Sequence, residues 1–260
     1  MSSETTPLLE MRRITKRFGA ITALDQVDLR LFPGEVLGVV GDNGAGKSTL
    51  MKVLSGLYSA SEGDLVFDGK PVVLNSPKDA QINGIEMVYQ DLALAGNLPV
   101  YENIYLGREP GSMRFGFKLV DRRKSRRMAK EHLDRLHINV KSVDQKVEEL
   151  SGGQAQAVAI ARATAFDARV VIMDEPTAAL AIKEVGKVLD LIKRLRERGT
   201  SVILISHRMD DVFFVCDRVM ALFHGRNFEE AQIAETTRNE VIGWIMGTKG
   251  HTEALAHDRL

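Results

Sequence analysis

Cysteine is nearly missing from this chain. Cys216 is the only one in 260 residues, so no intrachain disulfide can staple the fold, and the chain suits a reducing cytoplasm. Net charge is missing as well: 35 Lys and Arg stand against 35 Asp and Glu. That balance supplies no bulk attraction to nucleic acid, and no nucleic-acid partner is expected. Nowhere does an apolar run approach the roughly eighteen residues that cross a bilayer. Met1-Ser2-Ser3-Glu4-Thr5-Thr6-Pro7 lacks the basic-then-apolar order of a secretory leader. Work at a membrane would therefore pass through a partner, from the cytoplasmic side. There is no internal repeat. Hydrophobic content of 44% with 27% charged residues is that of an ordinary globular protein.

What is present starts with Gly41-Asp42-Asn43-Gly44-Ala45-Gly46-Lys47-Ser48-Thr49. This fits the pattern of Gly, any four residues, Gly-Lys, then Ser or Thr. Such a loop turns its backbone N–H groups toward one anion. Its glycines allow positive φ and keep side chains out of the way. Lys47 offers a point charge to the β- and γ-phosphates, and the Ser48 hydroxyl can ligate Mg²⁺. Upstream, Val36-Leu37-Gly38-Val39-Val40 reads as a buried strand. Downstream, Leu50, Val53, Leu54 and Leu57 follow helical spacing. A strand, a Gly-rich loop and a helix whose N-terminus faces the anion make a nucleotide site.

Residues 8–32 alternate with period two and predict antiparallel strands, with Lys16-Arg17-Phe18-Gly19 between them. Phe18 either packs in the core or stacks on an adenine ring. Leu65-Val66-Phe67 and Val72-Val73-Leu74 flank Asp68-Gly69-Lys70 as a hairpin, and 85–89 form another strand ending at Gln90. From Asp91 to about Val147, Pro99, Pro110, Gly111 and Gly116 punctuate the chain, and Arg122–Leu136 reads as a helix with a basic, solvated face. The next buried strand, Val170-Val171-Ile172-Met173-Asp174, comes far later than one crossover requires. The interval must hold inserted structure: an antiparallel β subdomain, then a mostly helical one. A helix over 184–197 capped near Gly199, then strands 202–206 and 219–223, complete an α/β core with a parallel sheet. Beyond His251 the chain lacks apolar periodicity and is expected to be loose.

Two further stretches carry chemistry. Asp174-Glu175 closes an apolar strand, where the first carboxylate can hold Mg²⁺ and the second can orient or deprotonate a water. Leu150-Ser151-Gly152-Gly153-Gln154 starts a helix with Ser151 as N-cap and two glycines that admit an anion closely. One nucleotide cannot easily use two phosphate-binding devices of one chain. The economical arrangement is a head-to-tail dimer in which each ATP lies between one chain's loop and the other's helix.

In this order and spacing GDNGAGKST, Gln90, LSGGQ, VVIMDEPT and His207 resemble ABC-transporter ATPase subunits, over roughly residues 8–247. The resemblance implies a P-loop, RecA-like α/β core with an antiparallel β subdomain and an inserted helical subdomain. Residues 8–90 and 160–247 would make the core with its β subdomain, 91–159 the helical part with the signature turn, and 248–260 a tail. It also implies site roles. Phe18 would stack on adenine, residues 41–49 would cradle the phosphates, and Ser48, Gln90 and Asp174 would serve Mg²⁺. Glu175, Lys47 and His207 would act on the γ-phosphate, and Ser151, Gly152, Gly153 and Gln154 would complete the partner's site. The chain departs from the family in two places: Ala181 replaces a usual Asp, and Ala157 a frequent Arg.

Tyr101-Glu102-Asn103-Ile104-Tyr105-Leu106-Gly107-Arg108-Glu109-Pro110, followed by Asp121-Arg122-Arg123, is similar to importers of ribose, xylose, galactose and fructose. Many of those are two fused cassettes. A single cassette resembles the shorter, fructose-type branch. The resemblance implies ATP and Mg²⁺ as cofactors, membrane permease subunits and an external sugar-binding protein as partners, and a peripheral place on the cytoplasmic face of the cell membrane. The segment from Leu92 to Tyr105 is expected to receive a permease helix. The alternatives are an ABC subunit for another substrate, a soluble ABC ATPase, and another phosphate-loop NTPase, against which LSGGQ argues.

Overall fold

The computed structural model describes residues 6–114 and 117–248; the expected tail beyond Thr248 lies outside them. Strands β1 (Leu9–Phe18) and β2 (Ile21–Leu31) pair antiparallel, with Leu9, Met11 and Ile14 of β1 buried beside Leu29, Val27 and Leu24 of β2. Strands β4 (Glu62–Phe67) and β5 (Lys70–Val72) join them in a sheet of order β2-β1-β4-β5, all antiparallel. The Asp68-Gly69 turn is as the sequence predicts, but β5 stops at Val72, leaving Val73 exposed and Leu74 buried.

The second sheet contains the phosphate-loop strand β3 (Val36–Val40), whose residues are all buried. Its order is β12-β11-β3-β10-β9-β6, formed with β6 (Ile85–Val88), β9 (Val170–Asp174), β10 (Ser201–Ile205), β11 (Arg218–Phe223) and β12 (Arg226–Gln232). All neighbours are parallel except β11 and β12. Near-continuous apolar strands suit a parallel sheet covered on both faces. One face packs on Leu50, Met51 and Leu54 of α1 (Lys47–Leu54) and on the antiparallel sheet. The other meets α5 (Gly152–Thr164) and α6 (Ile182–Glu197).

The inserted segment holds α3 (Val100–Tyr105), α4 (Arg122–Arg135) and a hairpin, β7 (Gly111–Arg114) and β8 (Phe117–Val120), that the sequence pattern does not announce. The short helix α2 (Pro77–Ile82) precedes β6, α7 (Met209–Val215) follows β10, and α8 (Arg238–Ile245) closes the described chain. One expectation needs correction. Val100 and Tyr101 are core residues, 0% and 3% exposed, so the 92–105 segment does not offer them to a partner. Asn103 explains the tuck: its side chain accepts from Ala95 N–H at 2.8 Å and donates to Ala95 O at 3.0 Å, which pins the preceding loop.

Helix α6 begins at N-cap Ala181, which has no side-chain oxygen to accept an orphan N–H. Glu184 occupies the third helical position, where a Ser or Thr cap would complete a reciprocal box. Ala181→Ser is expected to stabilise the protein by about 1 kcal/mol, read as a Tm raised by about 2–4 °C. An unchanged Tm would mean that the α6 N-terminus is already satisfied.

Candidate nucleotide site

Parallel strands β3, β6, β9 and β10 deliver their C-terminal ends to one edge of the sheet, where ligands of open α/β sheets bind. At that edge stand Gly41 after β3, Gln90 beyond β6, Asp174 and Glu175 at the end of β9, and His207 beyond β10.

The loop from Gly41 to Gly46 needs its glycines for specific reasons. Gly41 has φ +152°, and an added Cβ would lie 2.5 Å from the Leu222 carbonyl oxygen. At Gly46, φ is +103° and an added Cβ would lie 2.9 Å from the Ala23 carbonyl oxygen. Asp42, Asn43 and Gly44 are exposed and Ala45 is buried, so one side of the loop is anchored and the other is open. Lys47 Nζ donates to the carbonyls of Gly41 at 2.7 Å and Asp42 at 3.0 Å, folding over its own loop. Burial pushes the Lys47 ammonium below its ordinary range, against the pull of Glu175, Asp42 and Asp174. Ser48 and Thr49 open the first turn of α1, with Ser48 exposed.

Burial also pushes the Asp174 carboxyl up, with Glu175 adding to the shift and Lys47 and Lys52 opposing it. Glu175 has φ +50°, a strained left-handed position for a glutamate. Its N–H donates to Ile205 O at 3.0 Å, tying the end of β9 to β10. The His207 N–H donates to Glu175 Oε1 at 3.1 Å, and His207 Nδ1 stands 2.8 Å from Oε2. That second approach is an ion-pair distance with poor hydrogen-bond alignment, because buried Oε2 takes no well-directed hydrogen bond. The His207 ring is mostly exposed and the Glu175 side chain mostly buried. Behind them, Thr177 Oγ1 donates to Asp211 Oδ2 at 2.5 Å, both side chains buried, and so clamps the loop after Glu175 to α7.

Among the described residues no three acidic, His or Cys side chains gather as a metal cluster. One hydroxyl (Ser48), one carboxylate (Asp174) and one exposed amide (Gln90) fit a cation that takes its other oxygens from phosphate and water, as Mg²⁺ does.

Ser151 is the N-cap of α5, and Gly152, Gly153 and Gln154 form its first turn. Ser151 Oγ accepts from Gln154 N–H at 3.3 Å, and Ser151 N–H donates to Gln154 Oε1 at 3.1 Å, a complete capping box. Ser151 and Gly152 are exposed. An added Cβ on Gly153 would come within 2.8 Å of Glu184 Cβ, so a side chain there would displace Glu184. Phe18 does not pack in the core: it is 41% exposed, edge-on to Tyr58 at 5.2 Å, with Lys16 Nζ 5.1 Å from its ring centroid. Sequence reasoning missed Tyr58, Asp211 and Arg162. Nothing local marks them, because each acts through a contact distant in the chain.

The family model described as ABC transporter matches residues 24–178. This chain belongs to the ABC transporter family. Similar curated members include the fructose import ATP-binding protein FrcA of Rhizobium meliloti, 45% identical over 94% of this chain and 95% of that protein. The xylose/arabinose import ATP-binding protein XylG of Sulfolobus acidocaldarius is 46% identical over 90% and 92%. The ribose import ATP-binding protein RbsA of Bacillus subtilis is 39% identical over 92% of this chain but only 48% of its own length, so the chain spans about half of that relative. Among solved structures, the ABC transporter ATP-binding cassette MJ1267 superposes with TM-score 0.82 at 28% identity, covering 94% of this chain and 98% of that one. The dimeric post-hydrolysis cassette MJ0796 bound to ADP and Pi superposes with TM-score 0.72 at 29% identity, covering 86% and 98%. These structures place the P-loop α/β architecture of the ABC cassette beyond the sequence resemblance alone. In this cassette the two departures from the family pattern are Ala157, half-buried on α5, and Ala181, exposed at the α6 cap.

Proposed function

We propose that this chain is the ATP-hydrolysing subunit of a monosaccharide importer, of the fructose type, acting as one cassette over residues 8–247. The observation that carries the reading is its match to FrcA and XylG over 95% and 92% of their length. Phe18 receives the adenine and residues 41–49 the phosphates, and Ser48, Gln90 and Asp174 would hold a Mg²⁺, which when bound would neutralise phosphate charge. Glu175 orients and deprotonates the attacking water, and His207, held by Glu175, contacts the γ-phosphate together with Lys47. Ser151, Gly152, Gly153 and Gln154 complete the nucleotide site of a second copy in a head-to-tail dimer. The exposure of Ser151 and Gly152 at the capped start of α5 supports this.

No helix among the described residues is long and apolar enough to cross a membrane. Its likeness to import ATP-binding proteins supports a peripheral place at the cytoplasmic face of the cell membrane, with permease subunits and an external sugar-binding protein. With Val100 and Tyr101 in the core, the permease meets the exposed residues of the inserted segment, Asn97 and Leu106 among them.

Uptake of labelled fructose, ribose, xylose and galactose in a strain lacking the gene tests the reading. Restored uptake of one of them by the wild-type chain, but not by Lys47→Ala, is the expected result. Unchanged uptake of all four sugars on deletion would sink the sugar assignment.

A further inference from the structure

Arg108 stands in the Leu106-Gly107-Arg108-Glu109-Pro110 segment that the sequence singles out, yet no step of ATP binding or hydrolysis uses it. The chain turns sharply after α3. Gly107 has φ +79°, its N–H donates to Glu109 Oε1 at 2.9 Å, and Arg108 N–H donates to Tyr105 O at 2.8 Å. That turn sends the Arg108 side chain back toward the core. Its Nη2 donates to Glu86 Oε1 at 2.7 Å, and its guanidinium carbon lies 3.9 Å from the centroid of the Phe166 ring. Phe166 in turn meets Tyr105 edge-on at 5.7 Å.

Each partner belongs to a different part of the cassette. Glu86 lies on β6, the edge strand of the parallel sheet, and is 8% exposed; Gln81 Nε2 approaches its other oxygen at 3.4 Å. Phe166 follows α5, the helix that begins with Ser151–Gln154. Near the same end of α5, Arg162 donates to the carbonyls of Leu92 at 2.8 Å and Ala93 at 2.7 Å, just after Gln90. Burial lowers the Arg162 pKa, with the Glu86 charge opposing and the Arg108 charge assisting the shift. Gln90 is thus bracketed. The strand before it is joined through Glu86 to Arg108, and the loop after it is joined through Arg162 to α5.

We propose that Arg108 is a positioning residue for the ATPase cycle: paired with Glu86 and stacked on Phe166, it holds α5 at the tilt that presents Ser151–Gln154 to the partner's nucleotide. The proposal rests on the head-to-tail dimer reading. Glu86 is the buried end of the pair and Arg108 the partly exposed one, with side chains 9% and 32% exposed. The planar guanidinium fixes the geometry of both the carboxylate contact and the ring stack. A displacement at Gln90 reaches α5 through Arg162 and is limited by the Arg108 strut on the other side.

The test uses the full chain carrying Glu175→Gln, so that ATP is bound and not turned over. Dimer fraction against Mg-ATP concentration is measured by light scattering after size exclusion. Monomer affinity is measured separately with a fluorescent ADP derivative. Arg108→Ala is expected to raise the ATP concentration at half-dimerisation by about tenfold, the scale of a lost charge-assisted hydrogen bond, with ADP affinity within about twofold of the parent. Arg108→Lys, which keeps the charge and loses the planar stack, should fall between. The near-isosteric Glu86→Gln should move dimerisation the same way and serves if Arg108→Ala does not fold. Dimerisation of Arg108→Ala or Glu86→Gln at the parent's ATP concentration overturns the proposal. A loss of ADP affinity in step with dimerisation overturns it too, since a mere brace does that. A parent that never dimerises with ATP brings down the dimer reading, and this proposal with it.

Discussion

Glu175→Gln is expected to leave ATP binding intact while turnover falls by about two to four decades, the scale of a lost general base. The change is nearly isosteric, and the surroundings argue that it will be tolerated. The Glu175 backbone is held at φ +50° by its N–H bond to Ile205 O, and neither depends on the carboxylate. Oε1 accepts the His207 N–H, a bond that a Gln oxygen can keep. What goes is the charge beside His207 Nδ1 and the basicity toward water. His207 should therefore lose its preference for the orientation in which Nδ1 faces residue 175. Steady-state ATPase with the permease-assembled complex, alongside nucleotide binding, separates the two effects. Turnover within about threefold of wild type would remove Glu175 from the role of base.

Arg218→Ala is expected to be the most damaging substitution outside the nucleotide site. Arg218 opens β11 and is 5% exposed. Its guanidinium pairs with Glu35, donates to Glu230 Oε1 at 2.8 Å and to Arg30 O at 2.8 Å, and lies over Phe32. One side chain thus ties β11 to β12, to the entry of β3 and to the end of β2. Removing it leaves the Glu35 carboxylate buried without its counter-charge, which costs about 3–5 kcal/mol, a large share of a typical domain's stability. Burial already pushes the Glu35 carboxyl above the ordinary glutamate range, against the Phe32 N–H and Arg218. Without Arg218 it rises further. The folded variant then binds more protons than the unfolded chain, so its stability should increase as pH falls toward the Glu35 titration and decrease again at neutral pH. Urea unfolding at two pH values checks both the size and the sign. A loss below about 1 kcal/mol, or a deficit that does not change with pH, would show that Glu35 finds water or another partner.

The features legible in the sequence are those that local chemistry dictates. The phosphate loop, the Ser151 cap with its Gln154 return, the Asp68-Gly69 turn and the amphipathic α6 each need only a few neighbouring residues, and each is present as read. Strand β12 was not legible, because Arg226-Asn227-Phe228-Glu229-Glu230-Ala231-Gln232 is a polar edge whose extended form comes from pairing with β11. The burial of Tyr101 was hidden for a similar reason. Its neighbour Asn103 draws the whole turn inward through bonds to Ala95 and Leu98, and no periodicity records that. Phe18 shows the converse: a phenylalanine between two buried strands reads as core until the turn carries it outside. The Arg108–Glu86 pair joins residues far apart in the chain, and only the fold brings them together.

Lys47 has a consequence for how quickly the cassette can take up nucleotide. Its ammonium donates to the carbonyls of Gly41 and Asp42 and so ties the side chain to its own loop. With Gly41 and Gly46 packed against the Leu222 and Ala23 carbonyls as well, the loop's shape is held by the chain's own atoms. Capture becomes a partner exchange at one rotating side chain, and side-chain rotation is fast beside loop folding. Nucleotide association should run close to the encounter rate and show a single kinetic phase, with affinity governed by the rate of escape.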